Sequence, residues 1–208
     1  VFEREIRDLG FLKRWSIVRT IRDQTVAEHT FNVAFYANDI ADWLQSQGAD
    51  ISDTLWLSLL QQVLWHDLDE MFTGDIPGPA KRALRGSNIE GWQEKVRAWM
   101  DVVFGIGRHS RNGNGHGPKE QNRITAIIKL ADILDAACEM ATEEQLGNMN
   151  AVPMTKRNTD WALREVETLG DVFGLSIPQR RDLRDKVFQA VHSCRCANSK
   201  PPVTICDY

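Results

Sequence analysis

The sequence predicts an all-α fold, and three observations carry that prediction. Apolar residues recur at three- and four-residue spacing through several long segments. Four of the polar junctions pair a hydroxyl residue with Glu or Gln three positions on: Thr25–Glu28, Ser87–Glu90, Thr142–Gln145 and Ser176–Gln179. Each such capping box can satisfy free backbone N–H groups at a helix start. No convincing set of alternating polar and apolar runs is present to build a sheet.

The elements follow in order. After Thr25, the residues Val26, Val33, Ala37, Ile40, Ala41 and Leu44 form one buried helical stripe, which Gly48 terminates. A second helix is expected over about 53–70, with Leu55, Leu59, Leu60, Val63 and Leu64 inward. Pro77 and Pro79 break any helix through the segment 74–79. A helix over roughly 88–104 comes next, then a surface loop at 105–118 containing Gly105, Gly107, Gly113, Gly115 and Gly117. No strand precedes this loop, so it is not a phosphate-binding glycine motif. Residues 121–141 form a long helix with Ile124, Ile127, Ile128, Ala131 and Leu134 inward. Helices over about 158–173 and 177–194 complete the set.

The 208 residues suit a single domain, which is expected to bury roughly two-thirds of the surface of its unfolded chain. A net charge of -4 argues against a nucleic-acid polymer as partner. No apolar run reaches the length of a membrane span, and the charged start VFEREIRDLG does not read as a signal peptide. Cys138, Cys194, Cys196 and Cys206 form no paired metal motif and read as free thiols, as in a reducing cytoplasm.

The informative residues are polar ones on apolar stripes. His29 lies three after Val26 and four before Val33, so it points inward with them. His66 follows Val63 by three and Asp67 follows Leu64 by three. Asp132 lies four after Ile128 and eight after Ile124, and Asp135 follows a turn later. Buried carboxylates without partners are very costly, so converging ones need a shared cation or a basic partner. Two imidazoles with two carboxylates make a plausible N2O2 set for one divalent metal. Mn, Co, Ni or Zn suits it better than Mg. Glu70 falls four after His66, where it could orient water or donate a proton to a leaving oxygen. Arg14 offers a guanidinium for phosphate and Trp15 an indole for stacking on a base or sugar. Lys81, Arg82 and Arg85 form a basic cluster after the proline turn.

The set His29 … His66-Asp67 … Asp132 resembles the HD-domain metal-dependent phosphohydrolases. Three segments resemble more specifically the bacterial 5'-deoxynucleotidases and their phage relatives that release triphosphate from dATP. They are Arg14-Trp15-Ser16-Ile17-Val18-Arg19 with Val26-Ala27-Glu28-His29-Thr30, then His66-Asp67-Leu68-Asp69-Glu70 through Thr73-Gly74-Asp75-Ile76-Pro77, then Lys129-Leu130-Ala131-Asp132. The resemblance covers about residues 10–140.

The resemblance implies an HD-domain helical bundle around a buried divalent-metal site. His29, His66, Asp67 and Asp132 would hold the metal, Arg14 the phosphate, and Glu70 would do acid/base work or position water. Trp15 and Asp75 would contact a deoxyribose, and later helices would mediate a homo-oligomer. Ser16-Ile17 departs from the Pro-Leu of the bacterial members. Ile17, Pro79 and Lys81 match the phage enzymes, in which they shape the nucleotide pocket. The expected function is hydrolysis of a dNMP to deoxynucleoside and phosphate. The alternative is a dATP-type triphosphohydrolase. Two rivals are weaker. A two-iron oxygenase needs more His ligands than His109, His116 and His192 supply, and a degenerate nucleotide-binding module should lack one of the ligands or Glu70.

Overall fold

A computed structural model describes residues 4–77, 80, 98 and 117–196. The described part is helical, as expected. A 3-10 helix, Arg4–Gly10, precedes α1 (Val26–Ser46), α2 (Asp53–Trp65), the short α3 (Glu70–Thr73), α4 (Pro118–Gln145), α5 (Val152–Phe173) and α6 (Ile177–Arg195). The expected helix at 88–104, the Ser87–Glu90 box, the glycines at 105–115, Pro79, Lys81, Arg82 and Arg85 lie outside the described residues.

The Thr25 capping box forms as its sequence dictates. Thr25 Oγ1 accepts from Glu28 N at 3.1 Å, and Thr25 N donates to Glu28 Oε2 at 2.8 Å. Gly48 ends the α1 segment at φ 87, a left-handed conformation that a Cβ would strain. Ser176 and Gln179 pair at the start of α6, where Ser176 N donates to Gln179 Oε1 at 2.8 Å.

α4 is the central helix and packs against α1, α2, α5 and α6. Its 28 residues are buried through most of their middle, including Ile124, Ile127, Leu130, Ala131 and Leu134. Val33, Ala37, Ala41 and Leu44 of α1 and Leu55, Leu59 and Val63 of α2 close the core around it.

Four expectations need correction. Thr142 does not cap a new helix: α4 runs through it, and its Oγ1 donates to Cys138 O at 3.0 Å. Inside the last turn of a helix a threonine hydroxyl finds the preceding-turn carbonyl instead of a free N–H. The next helix starts at Val152, well before 158, with Pro153 in its first turn where a missing N–H costs nothing. The second helix does not run to 70; it stops at Trp65, and a turn leads to Glu70. Leu64 is 57% exposed, so the stripe argument that carried Asp67 inward does not hold, although the turn still brings Asp67 beside His29.

Candidate metal and nucleotide site

The site lies where α1, the α2–α3 turn and α4 converge. His29 comes from the second turn of α1 and is wholly buried. His66 caps the C-terminus of α2, and Asp67 follows it in the turn. Asp132 stands on α4. His29 Nε2 is 3.3 Å from His66 Nε2, 3.3 Å from Asp67 Oδ2 and 3.5 Å from Asp132 Oδ1. The ligand atoms of His29, His66 and Asp132 all lie within 4.8 Å of one another.

Hydrogen bonds behind the cluster fix which atoms face inward. His66 Nδ1 is 2.6 Å from Val63 O, which can only accept, so Nδ1 carries the proton and Nε2 offers a lone pair. His29 Nδ1 sits 2.6 Å from Asp135 Oδ2, with the same consequence. Lys129 Nζ holds Asp132 Oδ2 at 3.0 Å and leaves Oδ1 turned to the cluster. With both imidazoles neutral, four acceptors converge with no donor between them, an arrangement that repels unless a cation or an added proton sits inside. Two imidazole nitrogens and two carboxylate oxygens fit a divalent metal.

The electrostatics report the same need for positive charge. Burial and the Arg14 charge push His29 down, yet hydrogen bonds to Asp132, Asp135 and Asp67 hold it up to about 10. Burial pushes Asp67 up, but His66 and His29 outweigh it and keep the carboxyl well below the usual range. Asp132 is likewise lowered, since His29 and Lys129 overcome its desolvation. A proton on His29 is the local substitute for a metal charge.

Asp135 is the hub behind the ligands. Its Oδ2 accepts from His29 Nδ1, from Gln24 Nε2 at 2.9 Å and from Arg14 Nη1 at 3.4 Å, and its Oδ1 accepts from Asn32 Nδ2 at 2.9 Å. The sequence marks Asp135 as inward but does not assign it this role. Gln24 and Asn32 give no sequence signal of it.

The segment before α1 carries Arg14 and Trp15. Residues 12–14 run antiparallel to 24–26, with Arg14 N donating to Gln24 O and Val26 N to Leu12 O, each at 2.9 Å. Trp15 has φ 64, a left-handed backbone that a bulky residue rarely adopts. Its N–H donates to Asp75 Oδ2 at 2.9 Å and its indole Nε1 to Gln24 Oε1 at 3.0 Å. The Arg14 guanidinium lies 5.6 Å from the Trp15 ring centre. The loop between is held from α4. Wholly buried Glu143 accepts from Ile21 N at 2.6 Å and Arg22 N at 2.8 Å, and Glu139 accepts from Arg22 Nη2 at 2.5 Å. Burial pushes the Glu139 carboxyl up in spite of that partner.

Of the expected site residues, His29, His66, Asp67 and Asp132 come together, and Arg14, Trp15 and Asp75 form a connected group beside them. Glu70 begins α3 and is buried, only 3% exposed. Ile17 stands 67% exposed on the loop. Pro79 and Lys81 lie outside the described residues. Among the described residues, no helix is long and apolar enough to cross a membrane.

Comparison with known proteins gives a consistent result. The family described as 5'-deoxynucleotidase YfbR-like matches residues 1–92. A dATP triphosphohydrolase of Salmonella phage PMBT28 is 36% identical over 139 residues, 64% of this chain, and this chain spans 62% of that enzyme's length. The 5'-deoxynucleotidase YfbR of Salmonella arizonae is 26% identical over 87% of this chain and 92% of its own. The fold matches the HD phosphohydrolase of cyanophage S-2L, solved with dA and one catalytic Zn2+, at a TM-score of 0.60 and 17% identity over 93% of this chain and 98% of that one. It also matches an HD-domain phosphohydrolase from Listeria innocua at a TM-score of 0.64 and 18% identity, over 94% and 92% of the two chains. The chain shares its fold with HD-domain phosphohydrolases, and in sequence it resembles both the YfbR-like 5'-deoxynucleotidases and the phage dATP triphosphohydrolases.

Proposed function

We propose that this chain is a metal-dependent phosphohydrolase acting at the 5'-phosphate of deoxynucleotides, with a dNMP as substrate and deoxynucleoside plus phosphate as products. The observation that carries the proposal is the convergence of His29 Nε2, His66 Nε2, Asp67 Oδ2 and Asp132 Oδ1 next to the Arg14–Trp15 segment. Those four residues would hold one divalent ion, of Co, Mn, Zn, Ni or, less suited to the donors, Mg. When bound, such an ion lowers the pKa of its water and so supplies a nucleophile near neutral pH.

The chain's own residues do the rest. Arg14 offsets charge on the phosphoryl oxygens, which grows as the 5'-oxygen departs. Glu70 takes or gives the proton exchanged between the attacking water and the leaving oxygen. Trp15 offers its ring to the base or sugar, and Asp75 holds the Trp15 backbone in place. Asp67 keeps its negative charge across the working pH range because its carboxyl titrates far below it.

A second substrate has a specific observation in its favour. The phage dATP triphosphohydrolase is more identical to this chain than the bacterial nucleotidases are, though over a shorter span. Attack at the same α-phosphorus would then release intact triphosphate, with Ile17, Pro79 and Lys81 shaping the longer pocket. The proposal also takes the whole chain as one domain, working in the cytoplasm as a homo-oligomer; the free thiols of Cys138, Cys194 and Cys196 suit a reducing compartment.

The experiment is turnover of dAMP and dATP side by side, with Co²⁺ or Mn²⁺ added and products separated by chromatography. Deoxyadenosine and phosphate from dAMP, with dATP inert, is the expected result. Deoxyadenosine and triphosphate from dATP would replace it with the second reading. No turnover of any of the four bases in either form would leave a nucleotide-binding module and sink both.

A further inference from the structure

We infer that Gln24 is a positioning residue that locks the Trp15 indole to the carboxylate orienting the metal ligand His29. The inference rests on the metal-site reading above and adds a residue that neither the ligand set nor the nucleotide segment contains.

Gln24 precedes the helix cap, in a polar loop, yet its exposure is 0%. A buried primary amide is costly unless both ends are satisfied. Here Oε1 accepts from Trp15 Nε1 at 3.0 Å and Nε2 donates to Asp135 Oδ2 at 2.9 Å. The partners fix the amide's orientation. An indole N–H can only donate and an ionised carboxylate can only accept, so a flipped amide would lose both bonds. The backbone carbonyl of Gln24 also accepts from Arg14 N, 2.9 Å away.

The contacts form an unbroken chain. His29 donates to Asp135, Gln24 donates to Asp135, Trp15 donates to Gln24, and the Trp15 backbone donates to Asp75. Trp15 needs such anchoring because its left-handed backbone, φ 64, is unfavourable for a bulky side chain. Only a group that accepts on one side and donates on the other can stand between an indole and a carboxylate. One amide thus sets the direction of the nucleotide platform and shares the acceptor oxygen that aims a metal ligand.

The test uses Gln24→Met, which keeps the length of the side chain and loses the amide. Co²⁺ affinity is measured by calorimetry on the metal-free protein, and KM and kcat at saturating Co²⁺ on whichever nucleotide the wild type turns over. Co²⁺ affinity is expected to fall on the order of tenfold, as for other groups that hold a ligand in place. KM is expected to rise about fivefold, the worth of the one hydrogen bond lost from Trp15, and the melting temperature to fall as well, since Met leaves the Trp15 Nε1 proton without its acceptor. A residue that only filled space would shift the melting temperature and leave both constants alone, and that result overturns the inference. If Gln24→Met fails to fold, Trp15→Phe removes the indole N–H together with its pyrrole ring and keeps the backbone bond to Asp75. Weaker Co²⁺ binding in Trp15→Phe supports the inference, since Trp15 is no ligand, and unchanged Co²⁺ binding overturns it. A wild type that binds no Co²⁺ defeats the metal reading and this inference together. A wild type that binds Co²⁺ but turns over no nucleotide defeats the enzymatic reading alone, and the calorimetric arm still decides the inference.

Discussion

His29 Nδ1 lies 2.6 Å from Asp135 Oδ2, and this contact decides which edge of the imidazole faces Asp67, Asp132 and His66. Without Asp135, the His29 proton has no fixed seat and either nitrogen can turn to the cluster. Asp135→Ala should therefore lower divalent-metal affinity about 10- to 100-fold, although Asp135 is not itself a ligand. Calorimetric titration with Co²⁺ measures it, and affinity equal to wild type would show that the ring is aimed by packing alone.

Glu143 anchors the loop between Trp15 and Gln24, and its charge state gives the anchor a pH dependence. Burial pushes its carboxyl up, but hydrogen bonds from Asn148, Ile21 N and Arg22 N win and hold it below the usual range. Its folded value lies under its unfolded one, so the stability it contributes is present above the unfolded value, roughly 4.3, and is lost as pH falls through the folded one. Glu143→Gln should cost about 1–3 kcal/mol at pH 7. The gap to wild type should stay constant down to about pH 5 and shrink in stronger acid. Urea unfolding at a series of pH values reads this directly. A gap that widens in acid would reverse the sign argued here.

How much of this was legible in the sequence depends on what carried each residue inward. His29 and Asp132 were readable because apolar neighbours at helical spacing, Val26 and Val33 or Ile124 and Ile128, fix the face they occupy. His66 was readable in the same way from buried Val63, but Asp67 was singled out on spacing to Leu64 that fails: α2 ends at Trp65, and a turn, not a helix face, delivers Asp67. A turn has no periodicity, so spacing cannot foresee it. Asp135, Glu139 and Glu143 recur every four residues on a buried stripe of α4, a signal that was present and that marks a loop-gripping face. Gln24 left no trace at all, because one polar residue in a polar loop looks the same whether exposed or buried.

Glu70 separates chemistry from metal binding. It is 3% exposed at the first position of α3, three residues past Asp67. If it moves a proton, Glu70→Gln should reduce kcat by about 10²- to 10⁴-fold while Co²⁺ affinity stays within about twofold of wild type, a loss well under the tenfold-plus expected from a true supporting group. Single-turnover kinetics at saturating Co²⁺ give the first number and calorimetry the second. Loss of Co²⁺ binding in parallel with activity would make Glu70 part of the metal site instead.

The two proposed substrates differ only beyond the α-phosphate, and Lys81 is the residue that distinguishes them. A dNMP ends at the oxygens that Arg14 neutralises. A dNTP adds two phosphates whose charge needs further basic partners, and an ammonium within reach serves as a point charge for them. Removing one charge-assisted contact costs about 1.5–3 kcal/mol, which is roughly 10- to 150-fold in kcat/KM for a substrate that uses it. Lys81→Ala should therefore leave dAMP turnover within about twofold, because the lost charge is not used there. If the chain acts on dATP, the same change should depress kcat/KM for dATP by at least about tenfold. Parallel progress curves for both nucleotides on both proteins decide it. Equal losses on the two would remove Lys81 from the β- and γ-phosphates and, with it, the residue-level support for a triphosphate substrate.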